Sequence, residues 1–147
     1  MILYSELSAF MDELVERIPA LKMSVPITIE SNMADKIGKI GEGETPVLFF
    51  LPPSGTGSGS VDAYCEDSAC VVFVMQKYNP RTATSAQVLA DTHPLVETVK
   101  AELLRKSRCP CCFTKLDYSS ISTLPETEFF GCWAGWSIAF TIKGEKP

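Results

Sequence analysis

The sequence predicts an α+β domain: a largely antiparallel β-sheet with two main helices packed on one face. Two amphipathic stretches at helical spacing and several short β-rich runs predict it, because they fall in the order helix, strands, helix, strands. At 147 residues the chain has the size of a single domain spanning 1–147. Apolar residues make up 46% and charged residues 21%, a globular rather than a disordered composition.

The first helix rests on Leu3, Leu7, Phe10, Met11, Leu14, Val15 and Ile18, which share one face, while Glu6, Asp12, Glu13, Glu16 and Arg17 fill the other. Pro19 stops it. A short strand is expected over Val25–Glu30, where Ile27 and Ile29 alternate with polar neighbours. Residues 31–45, with Gly38, Gly41 and Gly43, read as a polar, flexible excursion. Val47–Leu51 is a compact apolar run closed by Pro52 and Pro53, which fits a buried strand. Residues 52–66 contain Ser-Gly-Thr-Gly-Ser-Gly-Ser and read as a second flexible loop or hairpin-like connector.

Cys70–Lys77 is the strongest strand signal, rich in β-branched and aromatic residues, and Asn79-Pro80 marks its turn. Thr82–Asp91 leaves room for a short helical turn. The second helix is expected from Pro94 to Lys106, with Asp91 or Thr92 as its cap and Leu95, Val96, Val99 and Leu103 as its apolar face. Phe113–Tyr118 and Glu128–Trp133 read as strands. In the last strand Trp136, Ile138, Phe140 and Ile142 alternate with Ser137, Ala139, Thr141 and Lys143.

The net charge of −5 speaks against a nucleic-acid binder, which needs concentrated Lys and Arg. The densest cations, Arg105, Lys106 and Arg108, close the second helix, where they meet the negative end of its dipole. The acidic N-terminal turns exclude a secretory signal core there, and no apolar run reaches bilayer length. The expected compartment is a reducing cytosol, so the six cysteines are read as thiols or metal ligands before disulfides.

Candidate chemistry concentrates in those cysteines. Cys65 and Cys70 form one group, and Cys109, Cys111 and Cys112 another. A zinc site from Cys65, Cys70, Cys109 and Cys112 is the set this spacing offers, although Cys-Pro-Cys-Cys lacks the usual two-residue spacer. Free thiols and a redox pair remain open beside it. The single histidine, His93, precedes Pro94 and reads as a neighbour of the helix start; pairing with Cys112 or Cys132 has no local support. Asp62, Glu66 and Asp67 are too few for a calcium loop and read as solvated. The glycine loop lacks the lysine of a phosphate-binding loop. The aromatic stretch Phe129-Phe130-Gly-Cys-Trp-Ala-Gly-Trp136 reads as strand–turn–strand, with Trp136 assigned to the core and Trp133 left unassigned.

From about Thr45 onward the layout resembles small tail-assembly proteins of tailed phages and prophages, the tail-terminator, tail-completion or neck proteins. The resemblance is carried by the strand Cys70–Lys77, the polar proline-containing link, the helix Pro94–Lys106, and a last strand opening Gly135-Trp136 and alternating to Ile142. It implies a structural virion protein rather than an enzyme, assembled in the host cytoplasm. Such a protein forms a homo-oligomeric ring at the head-proximal end of the tail and contacts other tail or head-connector proteins. It implies no cofactor, no membrane and no specific nucleic-acid partner. The alternative expectation is a small zinc- or thiol-based binding or regulatory module using the two cysteine groups.

Overall fold

The computed structural model describes residues 1–28, 33–129 and 131–144. These form three α-helices and one six-stranded sheet, which is the α+β architecture expected. In chain order the elements are α1 (Tyr4–Arg17), β1 (Met23–Pro26), α2 (Met33–Gly38), β2 (Val47–Phe50), β3 (Ser54–Ser58), β4 (Cys65–Lys77), α3 (Ser85–Ser107), β5 (Leu116–Phe129) and β6 (Trp133–Ile142). The sheet order is β1-β2-β4-β6-β5, with β3 also paired to β4. All pairings are antiparallel except β1 with β2.

The period of two along the strands splits the core into two layers. Leu48 and Phe50 on β2, Cys70, Val72 and Val74 on β4, and Ile138, Phe140 and Ile142 on β6 point to one face. There α1 brings Leu7, Phe10, Met11 and Leu14, and α3 brings Val96, Val99 and Leu103, so both main helices cover the same face. An ion-pair network ties the two helices together outside that core. Glu13 accepts from Arg105 at 3.1 Å and from Lys106 at 2.7 Å, and Glu102 accepts from Arg17 at 2.7 Å.

The opposite face is covered in part by α2, which corrects the reading of residues 31–45 as a polar excursion. Met33, Ile37 and Ile40 recur at helical spacing and pack on Val47, Phe49, Met75 and Trp133. A 3₁₀ turn over Glu42–Glu44 follows. The predicted start of that excursion at Ser31 and Asn32, and the end of the predicted strand at Ile29 and Glu30, lie outside the described residues.

Of the two readings of residues 52–66, the hairpin-like connector is the one that forms, with β3 as one strand of a β-hairpin. Ser54–Ser58 pairs in unbroken register with Cys65–Ala69. Backbone pairing overrides the low strand propensity of Ser and Gly here, because β4 runs on past the other strands and offers them an edge. Gly59, at φ +94°, makes the turn that a side chain would strain.

Helix α3 also begins earlier than predicted. Thr84 is its cap: the Thr84 hydroxyl accepts from Gln87 N at 3.2 Å, and the Gln87 side chain accepts from Thr84 N at 2.8 Å. Pro94 therefore sits inside the helix instead of opening it. Pro94 has no N–H to give Ala90 O, and side-chain donors reach the two carbonyls just before it. Thr92 Oγ1 donates to Val88 O at 2.8 Å, and Trp136 Nε1, from β6, donates to Leu89 O at 3.1 Å.

Phe113 lies in a 3₁₀ turn over Cys112–Lys115, not in a strand. β5 then runs continuously from Leu116 to Phe129, where two separated strands were predicted. It is the outer strand, so Pro125 removes no ladder bond that the sheet needs, and two register shifts bend it.

Candidate functional site

The cysteines were the first candidates, and the topology brings Cys70 and Cys112 near one another but sets Cys65 apart from both. Cys65 and Cys70 lie five positions apart on one extended strand, so their side chains leave β4 on opposite faces. Cys70 is buried beneath the two main helices, and burial pushes its thiol up to about 12. Cys112 packs against the same core from the 3₁₀ turn and is pushed up to about 11, again chiefly by burial. Cys65 sits at the other end of the hairpin ladder, 3.1 Å from Ser58 Oγ.

Cys109 and Cys111 cap the end of α3, with their thiols donating to Arg105 O at 3.7 Å and Lys106 O at 3.4 Å. The predicted set Cys65, Cys70, Cys109 and Cys112 is thus not brought together. Among the described residues no three His, Cys, Asp or Glu side chains converge as a metal site would need. A nucleophilic thiol needs a lowered pKa, and the two shifted thiols move the other way.

His93 is mid-helix. Its ring stacks on Trp136 at 5.0 Å and its Nε2 lies 3.4 Å from Glu97. Cys109 lies sixteen positions further along α3 and its cap, roughly 24 Å at the helical rise, so the Cys112–His93 pairing has no geometric basis. Cys132 is exposed in the turn before β6.

The acidic group is dispersed in the same way. Asp62 is at the hairpin tip, Glu66 takes a 3.4 Å bond from the Tyr64 hydroxyl, and Asp67 faces the end of β6. Asp67 accepts from Gly144 N at 2.8 Å and from Lys143 Nζ at 3.2 Å, and these bonds hold its carboxyl below the usual range, the backbone one most.

The aromatic stretch makes no exposed platform from its tryptophans. Trp133, left unassigned by the sequence, is the deeply buried one, 1% exposed and edge-on to Phe49 at 5.4 Å. Trp136 is half-buried beside α3, packed against the core assigned to it. Phe130 and the side chain of Phe129 lie outside the described residues.

Two clefts remain. One, of about 440 Å³, lies between Met1–Leu3, Cys111, Cys112, Lys115 and the end of β6. The other, of about 490 Å³, lies at the C-terminal end of β4 against the first turns of α3. Among the described residues the most exposed large apolar side chains are Val61 at 99%, at the hairpin tip, and Leu3 at 61%, on the first cleft. Sequence reading passed over Val61 because one apolar residue among Ser, Gly and Asp carries no periodicity.

The fold therefore defines an α+β domain with a projecting two-stranded arm. No protein-family model matches the sequence, and no curated protein is similar to it.

Proposed function

We propose that the protein is a structural virion subunit of a tailed phage or prophage, of the tail-terminator or neck kind. In this reading it assembles as a ring of identical copies at the head-proximal end of the tail, in the host cytoplasm, and needs neither a catalytic residue nor a cofactor. The observation that carries the reading is the arm. All five residues of β3 are exposed, and the ribbon extends beyond the helix-covered core without a core of its own. An ordered ribbon of this kind suits contact with a neighbour better than it suits the stability of the isolated chain. The net charge of −5 supports a ring whose lumen lets DNA pass without gripping it.

The rival, a zinc- or thiol-based module, needs Cys65 and Cys70 on one side of β4, and strand alternation sends them to opposite sides. Native mass spectrometry of the reduced protein, with and without chelator, tests the choice. The expected spectrum is a closed oligomer whose mass does not change with chelator. A monomer carrying one chelatable zinc would favour the rival instead.

A further inference from the structure

Two of the six thiols meet at the end of α3. Cys109 Sγ donates to the carbonyl of Arg105 at 3.7 Å and Cys111 Sγ to that of Lys106 at 3.4 Å, so both sulfurs hang from neighbouring carbonyls of one helical turn. The backbone between them is folded back as well. The Thr114 hydroxyl donates to the carbonyls of Cys109 at 3.0 Å and Cys111 at 2.7 Å, and it accepts from Cys111 N at 3.2 Å. One hydroxyl reaches both carbonyls only because the chain turns at the exposed Pro110. Residues two positions apart are about 7 Å apart when extended and closer in a turn, which brings their Cα atoms into the range that a disulfide spans. A cation lies beside the same two sulfurs. The Lys106 ammonium is held above its ordinary pKa first by Glu13, with smaller contributions from Cys111 and Cys109.

The other thiols fall outside this arrangement. Cys112 follows directly, but burial pushes it up to about 11, which leaves little thiolate to react. Cys70 is buried beneath the helices, Cys65 lies beside Ser58 on the hairpin ladder, and Cys132 is exposed in the turn before β6. Cys111 also lines the 440 Å³ cleft, with Lys115 beside it, so a small molecule has a way in.

We propose that Cys109 and Cys111 are a redox pair, closing reversibly to a disulfide at the end of α3 by exchange with a small-molecule disulfide of the glutathione class. One protein thiolate attacks a sulfur of that disulfide and expels one small thiolate, leaving a mixed disulfide on the protein. The second protein thiol, deprotonated, attacks the protein sulfur of the mixed disulfide and expels the other small thiolate. The protein gives up two electrons and two protons, and the small disulfide leaves as two thiols. Lys106 stabilises the thiolate as it forms. Closing the bond withdraws both S–H donors from the last carbonyls of α3. The pair needs no ring assembly, so a monomeric protein carries it too.

Equilibration of the reduced protein with graded mixtures of reduced and oxidised glutathione tests this. Each sample is quenched in acid, its free thiols are alkylated, and its peptides are mapped by mass spectrometry. The wild type should yield a Cys109–Cys111 cross-link, returned to two thiols as the mixture becomes more reducing. The cross-link should survive Cys112→Ser and Cys132→Ser, and Cys111→Ser should stop at a glutathione adduct on Cys109. Lys106→Gln should slow closure severalfold at neutral pH with an unchanged circular dichroism spectrum. Glutathione adducts without a cross-link in the wild type, at every ratio, would overturn the pair. A cross-link from Cys109 to Cys112 or Cys132 would overturn it as well. Closure at the wild-type rate in Lys106→Gln would remove the lysine from the mechanism.

Discussion

Cys70 gives the protein a specific alkaline weakness. The thiol lies in the helix-covered core, 1% exposed, and burial is the main cause that raises it from 9.0 to about 12. In the unfolded chain the same thiol ionises near its ordinary value. Above that value the unfolded state gives up a proton that the folded state keeps, so rising pH favours unfolding. The thiol's contribution is fully present below about pH 9 and is lost progressively toward pH 12.

Between about pH 8 and pH 10 linkage then removes about 1.4 kcal/mol, one pKa unit's worth. Lysines and tyrosines titrate nearby, so the slope of the wild type alone proves little. The difference from Cys70→Ala isolates the thiol. Urea unfolding at closely spaced pH values should show the variant less stable at about pH 8, through its lost packing. The gap should narrow by about 1.4 kcal/mol by pH 10. Parallel pH profiles for the two proteins would falsify the assignment of Cys70 to a dry core.

Trp136→Phe keeps most of the ring but removes the donor to Leu89 O, one turn before Pro94. It should lower stability by about 1 kcal/mol in urea unfolding, and an unchanged midpoint would mean that bond does not support the proline-bearing turn. Glu13→Gln takes the carboxylate from between Lys106 and Arg105, whose hydrogen bonds, that of Lys106 first, hold it below its ordinary pKa. A group lowered in this way stabilises the fold above its ordinary value, and that contribution fades as pH falls through the folded value. The substitution should destabilise by less than about 1 kcal/mol at neutral pH and low salt, and the loss should shrink in high salt or acid. A loss equal at all salt concentrations would point to packing rather than charge.

Legibility in the sequence followed the range of the interactions concerned. The stripe from Leu7 to Leu14 and the alternation from Trp136 to Ile142 were readable because each element buries one face, and burial imposes its period on the residues. The run Val47–Phe50 was readable for a related reason, since both its faces are covered. Pro94 misled because a local rule for proline at helix starts competed with donors that arrive from elsewhere. Thr84 and Gln87, ten and seven residues before it, already form the cap.

The cysteine groups show the same division at the candidate site. Spacing in sequence leaves a zinc set, free thiols and a redox pair all writable. The pleat of β4, which sends Cys65 and Cys70 to opposite faces, decides which thiols can meet. The hairpin arm was legible only as one of two options, because Ser and Gly carry no strand preference of their own. They form β3 only because β4 supplies partners from ten or so residues away, along a ladder with no side-chain pattern. By itself, then, the sequence determined the α+β class, the first helix and the strands that bury a face, since hydrophobic burial writes a local period. Only the tertiary structure decided the hairpin arm, the cover given by α2, the fate of the thiols and the placing of tip and cleft at opposite ends of β4. Those depend on backbone pairing and on contacts between residues far apart in the chain, which leave no periodic trace.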